Sequence, residues 1–510
     1  MEFFKKLSVL MVLLGCSVGI FAGPVKLKDR ENDNPQLRYT VYTDADDSVL
    51  SVLRAAVSAK NYAVTFTDNK KILPDMDLSF TGKQIKRPEP VPFVHIEEDD
   101  SEKAAAEAEA ILEKYFFTGE APAVYPVFKC GEEGYDTYRI PSLTRTASGT
   151  LVAFVEARGI GKTDCAENKI MAKVSTDDGV TWSDPIMVAD AGEASLNNPS
   201  PVYLEKENRI IVMYQYYPPA SHEITTERGF EGPGVCRTFT VFSDDEGRTW
   251  SAPSDITKQV KSATMSAVAC GPGIGIEVRR GAFRGRLIYP FASTGRDEGW
   301  YNYLVYSDDR GRTWQRTEAV SWYGSNESQV VELSENRFLV NARNHRYPGG
   351  AAAEPAGWNP WSTRAAMKRA EFVFGLGADG TFSCGPTIER DDLPDPRCQG
   401  FIYRYSGFEP GEKSILLFSN AANGFYLKNM NGKMMSGRVN GSIKVSFDEG
   451  KTYTGRRIYG DRFTGFQYSV MSKMPDNKVG IIFECYPEIK FAVVDLDWLT
   501  AGSFLQGGKQ

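Results

Sequence analysis

The sequence predicts an all-β fold, a six-bladed β-propeller, and this prediction rests on a repeated turn motif, its spacing and the strands between its copies. The turn motif is Ser-x-Asp-x-Gly-x-Thr followed by Trp or Tyr, and its four copies begin at Ser175, Ser243, Ser307 and Ser446. The copies start 68, 64 and 139 residues apart. Because 139 is close to two steps of about 70 residues, one copy has decayed, and GLGADGTF at 375–382 lies where it is expected.

The residues of the turn motif are those of a tight hairpin. Its Asp can accept hydrogen bonds from the following backbone, its Gly permits a positive φ, and its aromatic residue can pack beneath the turn. Short alternating segments such as Lys169–Ser175 and Tyr303–Ser307 indicate strands between the copies. Four strands in roughly 65 residues make one blade, so residues 121–510 hold six blades. We interpret the aspartates of the turn motif as structural, not as site residues: Asp177, Asp245, Asp309 and Asp448.

The first 22 residues form a predicted export signal. Lys5 and Lys6 precede an apolar run, Leu7–Ala22, that is short for a membrane span. A retained anchor helix is the less favoured interpretation, and no integral membrane span is expected. Cleavage follows Ala22, or Cys16 becomes the acylated end of a lipoprotein. In either case the mature protein is exported, and it is secreted, periplasmic or attached to the outer membrane or cell surface.

Residues 23–120 lack the propeller pattern and predict a small accessory domain of mixed α and β character. The predicted strands are Arg38–Thr43, Tyr62–Thr67 and Asp77–Thr81. The predicted helices are Ser48–Ala59 and Ser101–Phe117. Ser101 can cap the second helix. Two roles stay open for this domain, since it could bind carbohydrate or only pack on the propeller.

Composition excludes some classes of function. The chain has 510 residues and a formal net charge of −7, which argues against a nucleic acid partner. Its three histidines, His95, His222 and His345, are too few and too scattered for a histidine-based metal site. The sequence leaves the oligomeric state open.

Three arginines stand in apolar strand contexts, where an unpaired charge is costly. They are Arg139 in the segment Tyr138-Arg-Ile-Pro141, Arg343 and Arg438. If the propeller brings them to one mouth, their planar guanidinium groups match the two oxygens of a small carboxylate.

With these arginines and the turn motifs in view, the chain resembles the bacterial exo-α-sialidases, which are glycosidases with a tyrosine nucleophile and Asp-boxes. The resemblance covers residues 125–497, and the turn motifs correspond to the Asp-boxes. Its further marks, in chain order, are Arg139-Ile-Pro141, FVEARGIGKTD at 154–164, SNESQVVEL at 325–333, Asn341-Ala-Arg343, FQYSV at 466–470 and IIFE at 481–484. Asp-boxes alone are weak evidence, but the ordered set is specific.

The resemblance implies a substrate-binding set. Arg139, Arg343 and Arg438 would clamp the carboxylate of sialic acid, and Glu484 would hold Arg139 from behind. Arg158 would lie near the substituent at C4 of the sugar, although it could simply pair with a neighbouring acid. The aromatic segments at 213–219 and 357–362 either line the pocket or pack in the core.

The resemblance also implies a catalytic set. Tyr468 would be the nucleophile, Glu327 its base, and Asp164 the acid and base at the glycosidic oxygen. A neutral phenol avoids repulsion with the carboxylate on the anomeric carbon of sialic acid. Asp164 has to be protonated to act as an acid, so we expect an apolar or negatively charged environment around it.

We therefore expect retaining hydrolysis of terminal α-linked sialic acid from glycoproteins, gangliosides and oligosaccharides. We expect this reaction to need no metal and no organic cofactor. A trans-sialidase with the same catalytic set is the alternative within enzymes. A non-catalytic Asp-box propeller that binds protein or glycan is the alternative from another class.

Overall fold

The computed structural model of the protein describes residues 122–500 and several short segments between residues 39 and 108. Within 122–500 the residues that it does not describe are 160–162, 295–299, 322–323, 335, 345–367, 425, 429–433 and 461–463. The predicted export signal with Cys16 and the aromatic segment 357–362 lie outside the described residues. No helix in the described part of the chain is both long and apolar enough to cross a membrane.

Residues 122–500 form a β-propeller of six antiparallel sheets, which we number as blades 1–6 in chain order. The strands of blade 1 are Thr137–Arg145, Leu151–Arg158, Asn168–Ser175 and Ile186–Ala189. The strands of blade 2 are Ser195–Leu204, Arg209–Tyr217, Arg237–Ser243 and Ser254–Asp255. The strands of blade 3 are Val268–Cys270, Leu287–Ser293, Tyr301–Ser307 and Gln315–Arg316, with Ile276–Glu277 as an extra strand on the second.

Blades 4 to 6 repeat this order. The strands of blade 4 are Ser325–Glu332, Arg337–Asn344, Lys368–Leu376 and Phe382–Cys384, with Ile388–Pro394 also paired to the third. The strands of blade 5 are Phe401–Ser406, Ile415–Ala421, Gly441–Ser446 and Thr454–Arg457. The strands of blade 6 are Ser469–Lys473, Lys478–Cys485, Glu488–Asp495 and Ala123–Lys129. Smaller elements are the hairpin of Tyr426–Lys428 and Met434–Ser436, the helices Thr257–Val260 and Leu496–Thr500, and the 3₁₀ turn Glu205–Glu207.

The first strands of successive blades lie against one another in a closed ring. Blade 6 closes this ring, because Ala123–Lys129 pairs with the strand Glu488–Asp495 from the other end of the propeller. Apolar side chains between blades form the core, as where Val152 and Phe154 of blade 1 pack with Val212 of blade 2. The predicted six-bladed propeller is confirmed.

The four turn motifs form the predicted turns between the third and fourth strands of their blades. In the motif at Ser243, Asp245 accepts hydrogen bonds from the Ser243 hydroxyl at 2.7 Å and from the Thr249 amide and hydroxyl at 2.8 and 2.6 Å. Gly247 has φ 86° and faces blade 1, where an added Cβ would come within 2.9 Å of Val152. The motif therefore also fixes the contact between neighbouring blades.

The decayed copy in blade 4 keeps part of this geometry. Asp379 accepts hydrogen bonds from the Thr381 amide at 3.0 Å and from its hydroxyl at 2.7 Å, and Gly380 has φ 86°. Blade 6 has no place for a copy, because its fourth strand comes from the beginning of the propeller and no turn joins it to the third.

The described segments before residue 122 include a parallel sheet, unlike the antiparallel blades. Its strands, in spatial order, are Val64–Thr67, Tyr39–Thr43, Met76–Ser79 and Phe93–His95. The described helical residues, 49–51, 53–55, 103–104 and 106–108, fall within the two predicted helices. The mixed α and β character is confirmed, while the fourth strand of this sheet was not predicted. The domain boundary near residue 120 stays a prediction.

Candidate active site

Arg139 lies at the start of the first strand of blade 1 and is held by the last blade. The strand bulges between Arg139 and Ser142, and Ile140 has φ 52°. This bulge presents two donors to Glu484, which accepts from Arg139 Nε at 2.8 Å and from the Ile140 amide at 2.7 Å. Glu484 is buried, and its carboxylate holds the Arg139 side chain in place. The guanidinium of Arg139 lies 5.4 Å from the ring centre of Tyr468.

Tyr468, Glu327 and Arg343 form a connected group. The Tyr468 hydroxyl donates a short hydrogen bond to Glu327 Oε1, and Arg343 Nη1 donates to Glu327 Oε2 at 2.8 Å and to the Tyr468 hydroxyl oxygen at 3.3 Å. Arg343 stands near the end of the second strand of blade 4. Because this strand runs antiparallel to the first, its end reaches the mouth at which the first strands begin.

The surroundings of Tyr468 keep its phenol protonated. Burial raises the pKa of Tyr468 well above its ordinary value, and the charge of Glu327 raises it further, against the opposing charges of Arg343 and Arg438. The phenol therefore stays neutral until its proton can pass to Glu327.

Arg438 approaches the same tyrosine from blade 5 and has only neutral partners. It donates to the Gln467 side chain at 3.1 Å and to the Arg397 carbonyl at 3.0 Å, and its guanidinium lies 5.8 Å from the Tyr468 ring centre. No carboxylate pairs with it among the described residues. A cation beside a buried ring without a counterion favours an anionic ligand.

Arg158 and Asp164 form a second part of the site. Glu156 and Arg158 are two residues apart on one strand, so their side chains share a face, and Arg158 Nη2 pairs with Glu156 at 2.6 Å. The other arm of Arg158, Nη1, pairs with Asp164 Oδ1 at 2.6 Å. The backbone of Asp164 is fixed by the Ser195 hydroxyl, which donates to its carbonyl at 2.9 Å.

The prediction for the environment of Asp164 is wrong. We expected apolar or negatively charged surroundings, whereas Asp164 faces two arginines. Desolvation opposes its ionisation, but the charges of Arg158 and Arg139 outweigh it and lower the pKa of Asp164 below its ordinary value. The side chain is also 62% exposed. Without a ligand, Asp164 is therefore an ionised partner of Arg158.

Sequence reasoning missed one acid of this mouth, Glu223. Burial raises the pKa of Glu223, and the nearby charge of Glu327 adds to this effect, against the opposing charges of His222 and Arg343. It follows the aromatic segment 213–219, whose position the sequence left open. That segment packs mainly in the core, since Met213 and Tyr214 are buried.

These contacts bring all eight predicted site residues to one mouth of the propeller. Three arginines surround Tyr468. Arg139 and Arg343 each have a carboxylate partner, whereas Arg438 has none among the described residues. The arrangement offers a neutral phenol hydrogen-bonded to a carboxylate, a cation with only neutral partners in the described part of the chain, and an exposed carboxylate. It can bind a small anion and move a proton between the phenol and Glu327.

The chain is similar to a known family and to known sialidases. The family model for the BNR repeat-like domain matches residues 149–481. A sialidase of Micromonospora viridifaciens is 31% identical over 389 residues, which is 72% of this chain and 53% of that protein. A sialidase of Bacteroides fragilis is 26% identical over 372 residues, which is 69% of this chain and 61% of that protein.

The solved structures agree on the fold. The Hadza microbial sialidase Hz136 matches with a TM-score of 0.61 and 24% identity, covering 74% of this chain and 69% of that one. The chain spans 53% and 61% of the length of the two relatives named above. The family model alone covers well over half of the chain. The chain therefore belongs to the BNR repeat-like, Asp-box family of propellers, which includes these sialidases.

Proposed function

We propose that the protein is an exo-α-sialidase that releases terminal α-linked sialic acid from glycoproteins, gangliosides and oligosaccharides. One observation carries this proposal: Tyr468, hydrogen-bonded to Glu327, lies between the guanidinium groups of Arg139, Arg343 and Arg438. A binding module has no need of a base on a buried tyrosine. The sialidase relatives support the same substrate class.

In the first step the substrate carboxylate binds the three arginines, and the Tyr468 oxygen attacks the anomeric carbon. The phenol proton passes to Glu327 while the bond to the glycosidic oxygen breaks. A free phenol titrates near pH 10, so its full ionisation at neutral pH costs about 4 kcal/mol. Glu327 reduces this cost by taking the proton as the new bond forms, and Arg343 stabilises the negative charge on both oxygens.

Asp164 serves the leaving group in this scheme. It donates a proton to the glycosidic oxygen in the first step. In the second step it takes a proton from water, and the water oxygen attacks the anomeric carbon. The bond between this carbon and the Tyr468 oxygen breaks, and Tyr468 regains its proton from Glu327. Because Asp164 is ionised in the ligand-free site, its protonation depends on the substrate. The bound carboxylate offsets the charge of Arg139 and so raises the pKa of Asp164.

A trapping experiment tests the nucleophile. A 3-fluoro sialosyl fluoride should lose its fluoride from C2 and form a covalent adduct, and mass spectrometry of a digest should find the label on Tyr468. Tyr468→Phe keeps the ring but should lower kcat by orders of magnitude with little change in Tm. Glu327→Gln should lower it by roughly 10²–10⁴. The matched control Tyr486→Phe changes an exposed tyrosine and should keep full activity.

Three results would contradict the tyrosyl intermediate. They are a label on a carboxylate, release of the β-anomer as the first product, or full activity of Tyr468→Phe. Product analysis with and without lactose then separates hydrolysis from transfer, because a trans-sialidase yields sialyllactose in its presence.

A further inference from the structure

A second cavity lies at the other mouth of the propeller, and the proposed mechanism does not use it. Its volume is about 460 Å³, within the ~300–1,000 Å³ of small-molecule sites. It is lined by the far ends of the first strands, among them Arg145 and Lys473. Arg145 comes six residues after Arg139 on one strand, which separates the two mouths by roughly 20 Å at ~3.3 Å per residue. We call this cavity the rear cavity.

The cationic side chains of the rear cavity exceed the acids left to neutralise them. Arg145, Arg284 and Lys473 form no ion pair with any described residue. The acids are mostly engaged elsewhere. Glu332 accepts from the Arg279 amide at 2.8 Å and from Arg280, and Glu277 pairs with Arg310 at 2.9 Å.

The remaining acids of the rear cavity are Glu409 and Glu412. Glu412 accepts backbone hydrogen bonds from Phe408 at 2.8 Å and from Glu409 at 3.2 Å, although the charge of Lys473 also reaches it. Glu409 is exposed. The inner wall is therefore left with donors and positive charge rather than with acceptors.

Arg145 is the most informative residue of the rear cavity. It lines the cavity and forms no ion pair with any described residue. Its planar guanidinium can bind the two oxygens of a carboxylate ligand. Three aromatic side chains that are only partly buried also line the cavity: Tyr203, Tyr403 and Phe408. Partly exposed aromatic rings suit the apolar face of a sugar.

We propose that the rear cavity is a second binding site for a small carboxylate-bearing sugar, with Arg145 as its principal anion contact. This site is separate from the proposed active site and does not depend on the proposed activity. The cavity volume suits a ligand of about one monosaccharide. An uncharged sugar of the same size has no carboxylate to pair with Arg145.

Ligand-observed NMR on the full chain tests this proposal, with free N-acetylneuraminic acid as the probe. The Arg343→Ala variant, in which the proposed active site binds the probe more weakly, should still bind it in the rear cavity. Adding Arg145→Gln should weaken this remaining binding at least tenfold. The matched control adds Arg337→Gln, an exposed arginine outside the cavity lining, and should change nothing. Glucuronate should compete for the site, whereas glucose should not.

Two results would overturn the proposal. The first is that the Arg343→Ala variant does not bind the probe, or that adding Arg145→Gln leaves its binding unchanged. The other is competition by inorganic phosphate or glucose as strong as that by glucuronate, which would indicate a site without preference for a carboxylated sugar. Arg145→Gln alone should keep kcat/KM for a small sialoside within twofold. A failure of the proposed activity would appear separately, as a wild-type protein that cleaves no sialoside.

Discussion

Arg438 is the residue whose contacts point most directly to an anionic substrate. Its partners are a neutral amide and a backbone carbonyl, so a substrate carboxylate would be its only counterion among the groups described. Arg438→Ala should remove a charge-assisted contact of about 1.5–3 kcal/mol and lower kcat/KM at least tenfold, with Tm little changed.

The methyl ester of the same sialoside makes this test specific. The wild-type protein should cleave the ester far less efficiently than the acid, because the ester has lost its charge. Arg438→Ala should show much less of this discrimination. Equal discrimination in the two proteins would remove Arg438 from the carboxylate clamp.

Asp164 determines the expected pH dependence. In the proposed mechanism Asp164 is the acid and has to be protonated. Because its pKa is lowered in the free protein, kcat/KM should fall as the pH rises through that low pKa. In the complex the substrate carboxylate offsets Arg139. The basic limb of kcat should therefore lie at higher pH than that of kcat/KM.

The leaving group provides the control for this pH profile. An aryl sialoside leaves without protonation, so Asp164→Ala should impair its cleavage much less than that of sialyllactose. Coincident basic limbs for kcat and kcat/KM, or equal losses with both substrates, would count against the assigned role of Asp164.

At this scale the sequence predicted residue types well and their partners poorly. The arginines could be proposed because such side chains are rare in apolar strands, and Tyr468 because the segment FQYSV at 466–470 resembles the sialidases. The partners of Arg438 could not, because a backbone carbonyl such as that of Arg397 carries no signal in residue type. The predicted environment of Asp164 was wrong, because it depends on how Arg158 shares its two terminal nitrogens between Glu156 and Asp164.

Among the elements, the turn motif was the most predictable, because its spacing and its hydrogen bonds depend on local sequence. Asp245 accepts from the Ser243 hydroxyl and from the amide and hydroxyl of Thr249, and also from the Arg248 amide at 3.1 Å. The parallel strand Phe93–His95 was missed, since a strand of three residues shows no alternation.

The turn motif permits a matched stability test. Asp245→Ala should lower the free energy of unfolding by about 1–2 kcal/mol, because several hydrogen bonds to the turn are lost. Asp379→Ala in the decayed copy removes contacts to Thr381 alone and should lower Tm less. Thermal melts monitored by circular dichroism measure both. An equal or larger loss for Asp379→Ala would show that the hydrogen bonds of the motif do not set its contribution.

The whole molecule depends on blade 6, which joins the two ends of the propeller. A chain that begins at Ala121 keeps the strand Ala123–Lys129 and should fold and cleave a small sialoside. A chain that begins at Gly131 lacks this strand and exposes an edge of Glu488–Asp495. It should melt at a clearly lower temperature or aggregate.

Expression yield, Tm and activity of the two truncated chains measure this dependence. If the chain that begins at Ala121 fails to fold, residues 23–120 share a core with the propeller and the predicted boundary is wrong. If the chain that begins at Gly131 melts like the longer one, the closing strand is dispensable.

The pairing of Arg139 with Glu484 joins residues 345 positions apart. Contacts of such long sequence separation carry a large loop-closure cost and form late. During synthesis, Arg139 leaves the ribosome long before Glu484 and Tyr468 have been made. A nascent chain therefore cannot assemble the carboxylate clamp or the tyrosine–glutamate pair until its last blade is complete. Enzymatic activity would thus report on a finished chain, and a product truncated before residue 468 would be inert however well its early blades fold.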